Sequence, residues 1–237
     1  VSAKRVVVTG ASSGIGRELA LLCAGRGDRL VLSARREGLL REVAEECRGL
    51  GSPEVVVEAF DIGEVGEAVR LRSAVERLGS GRVVLVNNAG FGHFGPFHEM
   101  AWETVAAHVQ VLLLGAMAAT RELLPLMLEA RDGHIVNVLS ITTQVALPGS
   151  AAYSAAKGGL DAFGKALSAE VRRRGVRVSH VHPGATDTPI WDAVGQSPPR
   201  EDMIPARAVA EAILGVIETD DGAVVDDLVL TPPKGLL

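Results

Sequence analysis

Cysteine is nearly missing from this chain: Cys23 and Cys47 are the only two in 237 residues. Each falls inside a helical pattern, so a disulfide framework is excluded and a reducing cytoplasm is the expected setting. Positive charge is also in deficit. A formal net charge of −5, with no basic stripe to offset it, excludes the usual nucleic-acid binder. The one cationic run, Arg172-Arg173-Arg174, reads as the solvated end of a helix, where cations favour the dipole. No membrane span is expected, because the most apolar stretch, 105–119, contains His108 and Gln110 and falls short of about 20 residues. With a first strand beginning near Lys4, no signal peptide is expected. Tyrosine occurs once, at position 153.

What is present is an apolar chain (47% hydrophobic, 27 glycines) in which strand and helix patterns alternate from end to end. Short apolar strands are expected at 5–9, 29–33, 54–59, 82–86, 134–138, 176–181 and 223–230. Helices are expected at 14–25, 37–49, 64–78, 102–130, 151–174 and 206–218, with Pro125 a point of bending in the long one. Continuous apolar strands between helices indicate a parallel sheet buried on both faces. At this length one undivided α/β domain, 1–237, is expected, with neither repeats nor low-complexity segments. The only long irregular stretch, 185–205, is long enough to be a functional loop.

Two motifs carry chemistry. Thr9-Gly10-Ala11-Ser12-Ser13-Gly14-Ile15-Gly16 closes the first strand and opens the first helix. Glycines there let the backbone approach a pyrophosphate, whose charge the helix N-terminus favours. The bland reading, a packing turn, loses once the strand–turn–helix context is counted. Second, Tyr153 and Lys157 sit four apart, on one helix face, with Ser140 13 residues before the tyrosine after an apolar run. An unperturbed tyrosine loses its proton only near pH ~10, and a nearby ammonium favours the phenolate.

With these motifs, and with Asp61, Asn87-Asn88-Ala89-Gly90 and Pro183-Gly184, the chain resembles the short-chain dehydrogenase/reductase family over essentially its whole length. The resemblance implies a Rossmann-type, doubly wound, seven-stranded parallel sheet with helices on both faces, and a nicotinamide dinucleotide cofactor. It implies hydride transfer between nicotinamide and a small carbonyl or alcohol substrate, with Tyr153 as general acid/base. Lys157 would lower the tyrosine's pKa and hold the nicotinamide ribose, and Ser140 would bond the substrate oxygen. The implied cofactor cradle is Gly10, Ser12, Ser13, Gly14, Ile15, Gly16, Arg35, Arg36, Asp61, Ile62, Asn88, Ala89, Gly90, Tyr153, Lys157, Pro183, Gly184, Thr186 and Thr188. Relatives that use NAD hold the ribose 2′-hydroxyl with an acidic residue at the end of the second strand. Ala34 stands there, followed by Arg35 and Arg36, so NADP(H) is expected, since a guanidinium can clamp a 2′-phosphate. The family commonly pairs its two long helices between subunits, which points to a homodimer or homotetramer.

One position departs from the family. An asparagine usually stands three residues before a glycine in the long helix and positions a water in the proton relay. Here Gly115 anchors the comparison, Leu112 takes the asparagine's place, and no asparagine occurs from Trp102 to Arg131. Gln110 would point elsewhere. The rival reading this raises is a dinucleotide-binding sensor or partner-binding protein with weak catalysis. His180 and His182 share a strand face, a spacing that suits a metal, but no third ligand type lies nearby in sequence, so no metal is expected. His93, Phe94 and Phe97 are placed to shape an apolar pocket, and Trp191 and Met203 to close over a substrate.

Overall fold

The structure is a computed structural model describing residues 3–194, 198–219 and 222–235. Seven strands form the main sheet: β1 (Arg5–Thr9), β2 (Arg29–Ala34), β3 (Val55–Ala59), β4 (Val83–Asn87), β5 (Gly133–Val138), β6 (Val176–Pro183) and β9 (Asp227–Leu230). Their order is β3-β2-β1-β4-β5-β6-β9, and every neighbouring pair is parallel. Between β1 and β4 the winding reverses. At such a switch point the flanking connections leave in opposite directions and open a crevice at the carboxyl ends of the strands.

Alternation along β1 divides the core. Val6 and Val8 pack with Leu19 and Ala20 of α1 (Gly14–Gly25) and Val209 and Ile213 of α7 (Ala206–Glu218). Val7 faces the opposite layer, with Leu71 of α3 (Val69–Arg77) and Ala119 and Leu123 of α5 (Gly115–Ala130). Because both faces are covered, β1 and β4 run as nearly continuous apolar segments, while β5 and β6 also bury His134, Asn137, Ser179, His180 and His182. Helix α2 (Glu37–Gly49) covers the β2–β3 end, and α6 (Ala151–Val171) lies beside α5 and β6.

Three elements differ from the sequence expectation. The helix expected at 102–130 is continuous but mixed: α4 (Trp102–His108), a π-helical turn over Val109–Leu114, then α5. Its irregularity therefore lies around Leu112, while Pro125 sits inside regular α5. By length and composition alone this run, Trp102–Ala130, could cross a membrane, contrary to the shorter stretch read from sequence; here α5 packs against β4, β5 and α3. The last strand begins at Asp227, four residues later than expected. The stretch 185–205 is tied at its ends by a two-residue parallel ladder, β7 (Thr186–Asp187) with β8 (Ile204–Pro205).

Candidate active site

A cleft of about 1140 Å³ opens over the carboxyl ends of the strands, from the β1–α1 turn across to the segment after β6. One end is built by the glycine turn. Gly10 and Gly14 adopt left-handed backbone angles (φ 70° and 54°), and a Cβ on Gly10 would lie 2.8 Å from Ala89 Cα. Only glycine admits that approach at small cost. The turn leads into α1, whose first turn carries no acidic residue and whose N-cap, Ser13, makes no side-chain cap. Open N–H groups and the positive end of the helix dipole make this a fitting seat for a pyrophosphate.

Gly16 does not line the cleft. Its Cα faces inward, where a Cβ would come within 2.5 Å of both Asn88 Nδ2 and the Gly10 carbonyl. Asn88 lines the cleft, yet its side-chain amide donates to the carbonyls of Thr9 (2.9 Å) and Gly10 (3.3 Å). Thr9 Oγ1 accepts from the amides of Asn88 and Ala89, each at 3.0 Å. These bonds hold the ends of β1 and β4 together at the switch point, so the Asn88 side chain shapes the cradle from behind.

At the end of β2, Arg36 donates to Ser12 Oγ (3.0 Å) and Ser13 Oγ (2.8 Å), folding a guanidinium over the glycine turn. Arg35, largely exposed, lies 3.6 Å from Asp61 Oδ2. Asp61 Oδ1 accepts from the Gly63 amide at 2.9 Å. Gln110 donates to the Gly63 carbonyl at 2.6 Å, pointing away from the position that Leu112 fills. Apart from Gly16, every residue expected in the cradle borders the cleft, Ile15, Ile62, Gly90, Pro183, Gly184, Thr186 and Thr188 included.

Ser140, Tyr153 and Lys157 converge in the middle of the cleft, all buried. The residue spacing places Tyr153 and Lys157 on one face of α6, and β5 delivers Ser140 opposite them. Lys157 Nζ donates to the Val138 carbonyl at 2.7 Å and stands 6.0 Å from the centre of the Tyr153 ring. Burial pushes the tyrosine up to about 12, against the pull of the Ser140 hydroxyl, and pushes the lysine down to about 8. The expected lowering of Tyr153 by Lys157 is therefore not what the protein alone produces: desolvation dominates, and both groups shift toward their neutral forms. Leu112, 1% exposed, packs against Tyr153 and Ala156 and fills the space behind them with hydrocarbon.

Ser140 is held by the turn that follows it. Its hydroxyl accepts from the Thr142 amide at 3.2 Å, and its carbonyl accepts from Thr143 Oγ1 at 2.8 Å. Thr143 Oγ1 is 2.7 Å from His182 Nδ1, and His182 Nε2 is 3.0 Å from Asp227 Oδ1. The fold thus supplies the carboxylates that sequence proximity did not: Asp161, His182 and Asp227 present ligand-type atoms within 4.8 Å of one another. A cation already serves them, since Lys165 Nζ donates to Asp161 at 2.8 Å and lies 4.0 Å from Asp227.

Beyond Tyr153 the cleft runs between the 91–94 loop, the 147–150 loop and the 186–194 segment. His93, Phe94 and Trp191 line it as expected. Phe97 instead points outward, 53% exposed, and Met203 is buried away from the cleft. Phe91, His108, Leu147, Pro148 and Ile190 lie near or along this end without any spacing in the sequence that announces them; His108 stacks on Phe91 at 4.7 Å.

A family model described as short chain dehydrogenase matches residues 4–198. The chain is 34% identical over 240 residues to the 2,3-dihydroxy-2,3-dihydro-p-cumate dehydrogenase of Pseudomonas putida, covering 97% of this chain and 92% of that protein. Among solved structures it is similar to an alcohol dehydrogenase from the archaeon Thermococcus sibiricus complexed with 5-hydroxy-NADP, with TM-score 0.88 and 26% identity over 97% and 96% of the two chains. A metagenomic short-chain oxidoreductase in complex with NADP gives TM-score 0.83 and 31% identity over 98% and 97%.

Proposed function

The chain belongs to the short-chain dehydrogenase/reductase family, and from that premise we propose that it is an NADP(H)-dependent enzyme interconverting a small carbonyl compound and its alcohol. One domain spanning 1–237 carries the whole site, and the 185–205 segment bounds the substrate. The observation that carries the reading is the convergence of Ser140, Tyr153 and Lys157 in the cleft, where a tyrosine that is protonated at neutral pH stands ready to give its proton.

When bound, the reduced nicotinamide supplies the hydride. The rest of the chemistry falls to the chain. Ser140 orients the carbonyl oxygen by a hydrogen bond, and Tyr153 Oη gives that oxygen its proton as the carbon–oxygen double bond is reduced. Lys157, charged below pH of about 8, stabilises the phenolate left behind. In alcohol oxidation the same groups run in reverse. Arg35 and Arg36 favour a 2′-phosphate by charge-assisted bonds, and no carboxylate precedes them on β2. The relatives crystallised with NADP or its derivative support that cofactor. The enzyme works as a homodimer or homotetramer, and its two cysteines, both buried and unpaired, suit a reducing cytoplasm.

Tyr153→Phe tests the reading. It should keep the fold and NADPH binding and lower turnover by about 10²–10⁴-fold. Near-normal turnover would assign the proton to another group. For the cofactor, kcat/KM with NADPH should exceed that with NADH, and Arg35→Ala should cost the first far more than the second; equal values in the natural protein refute the assignment.

A further inference from the structure

Aromatic residues are scarce in this chain, eight in all, and five of them border the one cleft just described: Phe60, Phe91, Phe94, Tyr153 and Trp191. Three of the five, Phe91, Phe94 and Trp191, gather at the end beyond the catalytic groups, next to the Tyr153 ring. Scarcity makes that concentration informative, because aromatic rings scattered at random would mostly lie elsewhere.

The rings are held in a defined arrangement. Phe94 meets the Tyr153 ring edge-on at 5.3 Å (61°) and lies nearly parallel to Trp191 at 5.9 Å (22°). Trp191 is fixed by its Nε1–H, which donates to the Thr186 carbonyl at 2.9 Å. The Phe94 loop is tied across to the opposite rim by the Gly95 amide, which donates to the Gly149 carbonyl at 2.9 Å. Both Phe94 and Trp191 remain half-buried, so ring surface is left facing the cleft. Among the residues that line the cleft the cations are Arg35 and Arg36, at the β2 end, and Lys157, which is bonded to Val138; the 91–94, 147–150 and 186–194 segments contribute no lysine or arginine to the lining, and His93 is their one ionisable side chain there.

We propose that this end selects an uncharged carbonyl compound bearing an aromatic ring beside its C=O group, a ring that Phe94 and Trp191 receive while the oxygen meets Tyr153 and Ser140. The proposal rests on the oxidoreductase reading above and specifies its substrate class. Aromatic rings prefer offset or edge contacts with one another, and pre-positioned rings offer these without reordering. A carboxylate on the substrate would enter without a lysine or arginine beyond Lys157 to receive it, an unpaired charge leaving water.

The test compares kcat/KM with NADPH for acetophenone, cyclohexyl methyl ketone, 2-butanone and the anionic benzoylformate. Acetophenone should exceed its saturated counterpart several-fold, and should exceed 2-butanone and benzoylformate by at least roughly 10-fold, the discrimination one pocket contact supplies. Trp191→Ala should collapse the ratio of acetophenone to 2-butanone toward one. Equal values for the two six-membered rings, preference for benzoylformate, or a ratio unmoved by Trp191→Ala would overturn the proposal while leaving the oxidoreductase standing. Should none of the four be reduced, the oxidoreductase reading is what fails. The pocket is then judged by calorimetric titration of the same compounds into protein with NADP+: acetophenone binding tightest sustains the aromatic site, and any other order, or no binding, ends it.

Discussion

At the scale of single residues, burial sets the electrostatics of the site. Lys157 keeps its proton up to about 8 in the folded protein, against 10.5 for an unburied lysine. Between these values the unfolded chain binds more protons, so stability should rise with pH across that window. Tyr153 has the opposite sign: raised from 10 to about 12, it contributes stability that is present below pH 10 and lost as pH climbs through that range. Lys157→Met removes the first titration, and its denaturation midpoints should be flat from pH 7.5 to 9.5 where those of the natural protein climb. Parallel curves for the two proteins would contradict this. Leu112 lends itself to a second experiment. Its side chain is enclosed by Tyr153, Ala156 and the Gly90 backbone, where a Cβ on Gly90 would already sit 3.0 Å from Leu112 Cδ2. Leu112→Asn places an amide among hydrocarbon and should destabilise the fold by about 2–4 kcal/mol unless water follows it in. Urea denaturation reads the cost, and turnover reads whether a relay has been restored; an unchanged midpoint would mean that the amide finds partners.

At the scale of elements, the sequence was legible wherever one residue or one spacing carries the information. The central strands β1 and β4 show as nearly unbroken apolar runs, and Tyr153 and Lys157 show as an i, i+4 pair. Ser140 could be placed because β5 ends just before it. The π turn at Val109–Leu114 was not legible, because an apolar helix reads alike whether its bonds close at four or five residues. The substrate end was only partly so: Phe91, Leu147 and Ile190 come from three separate loops and meet only when the sheet brings those loops to one edge. Phe97 and Met203 went the other way for the same reason, since hydrophobicity does not tell which side of a loop a residue will face. Gly16 illustrates how a motif residue can act at one remove. Gly16→Ala should displace Asn88, which joins β1 to β4, and should cost on the order of 1–3 kcal/mol of stability while weakening NADPH binding. Calorimetric titration together with a denaturation curve checks both effects; a variant that binds NADPH normally would show that the cradle does not depend on that close approach.

At the scale of the whole molecule, the outer surface of the long helices is the part the monomer leaves unexplained. Trp102 is 72% exposed, and Val109 and Leu114 on the same run are exposed as well. Beside them α6 shows the solvent Ala151, Ala155, Ala162, Ala166 and Ala169, small side chains that let a second helix approach closely. The two helical runs touch through α4, the π turn and α6, so these exposed residues lie on neighbouring elements. An apolar face of large and small side chains suits an isologous contact, in which each residue meets its symmetry partner on the other copy. The same helices carry Leu112, Tyr153 and Lys157 on their inner sides, so pairing the outer faces would stiffen the walls of the site. Light scattering at micromolar concentration should give a dimer or tetramer. Trp102→Glu with Leu114→Glu, both at exposed positions that the monomer does not need, should shift the mass toward the monomer while leaving the circular dichroism unchanged. Turnover should fall as the subunits separate if the pairing supports the site, and dilution of the natural protein should reproduce that fall. A natural protein that is already monomeric at micromolar concentration would place the function in the single chain and leave the exposed face to some other contact.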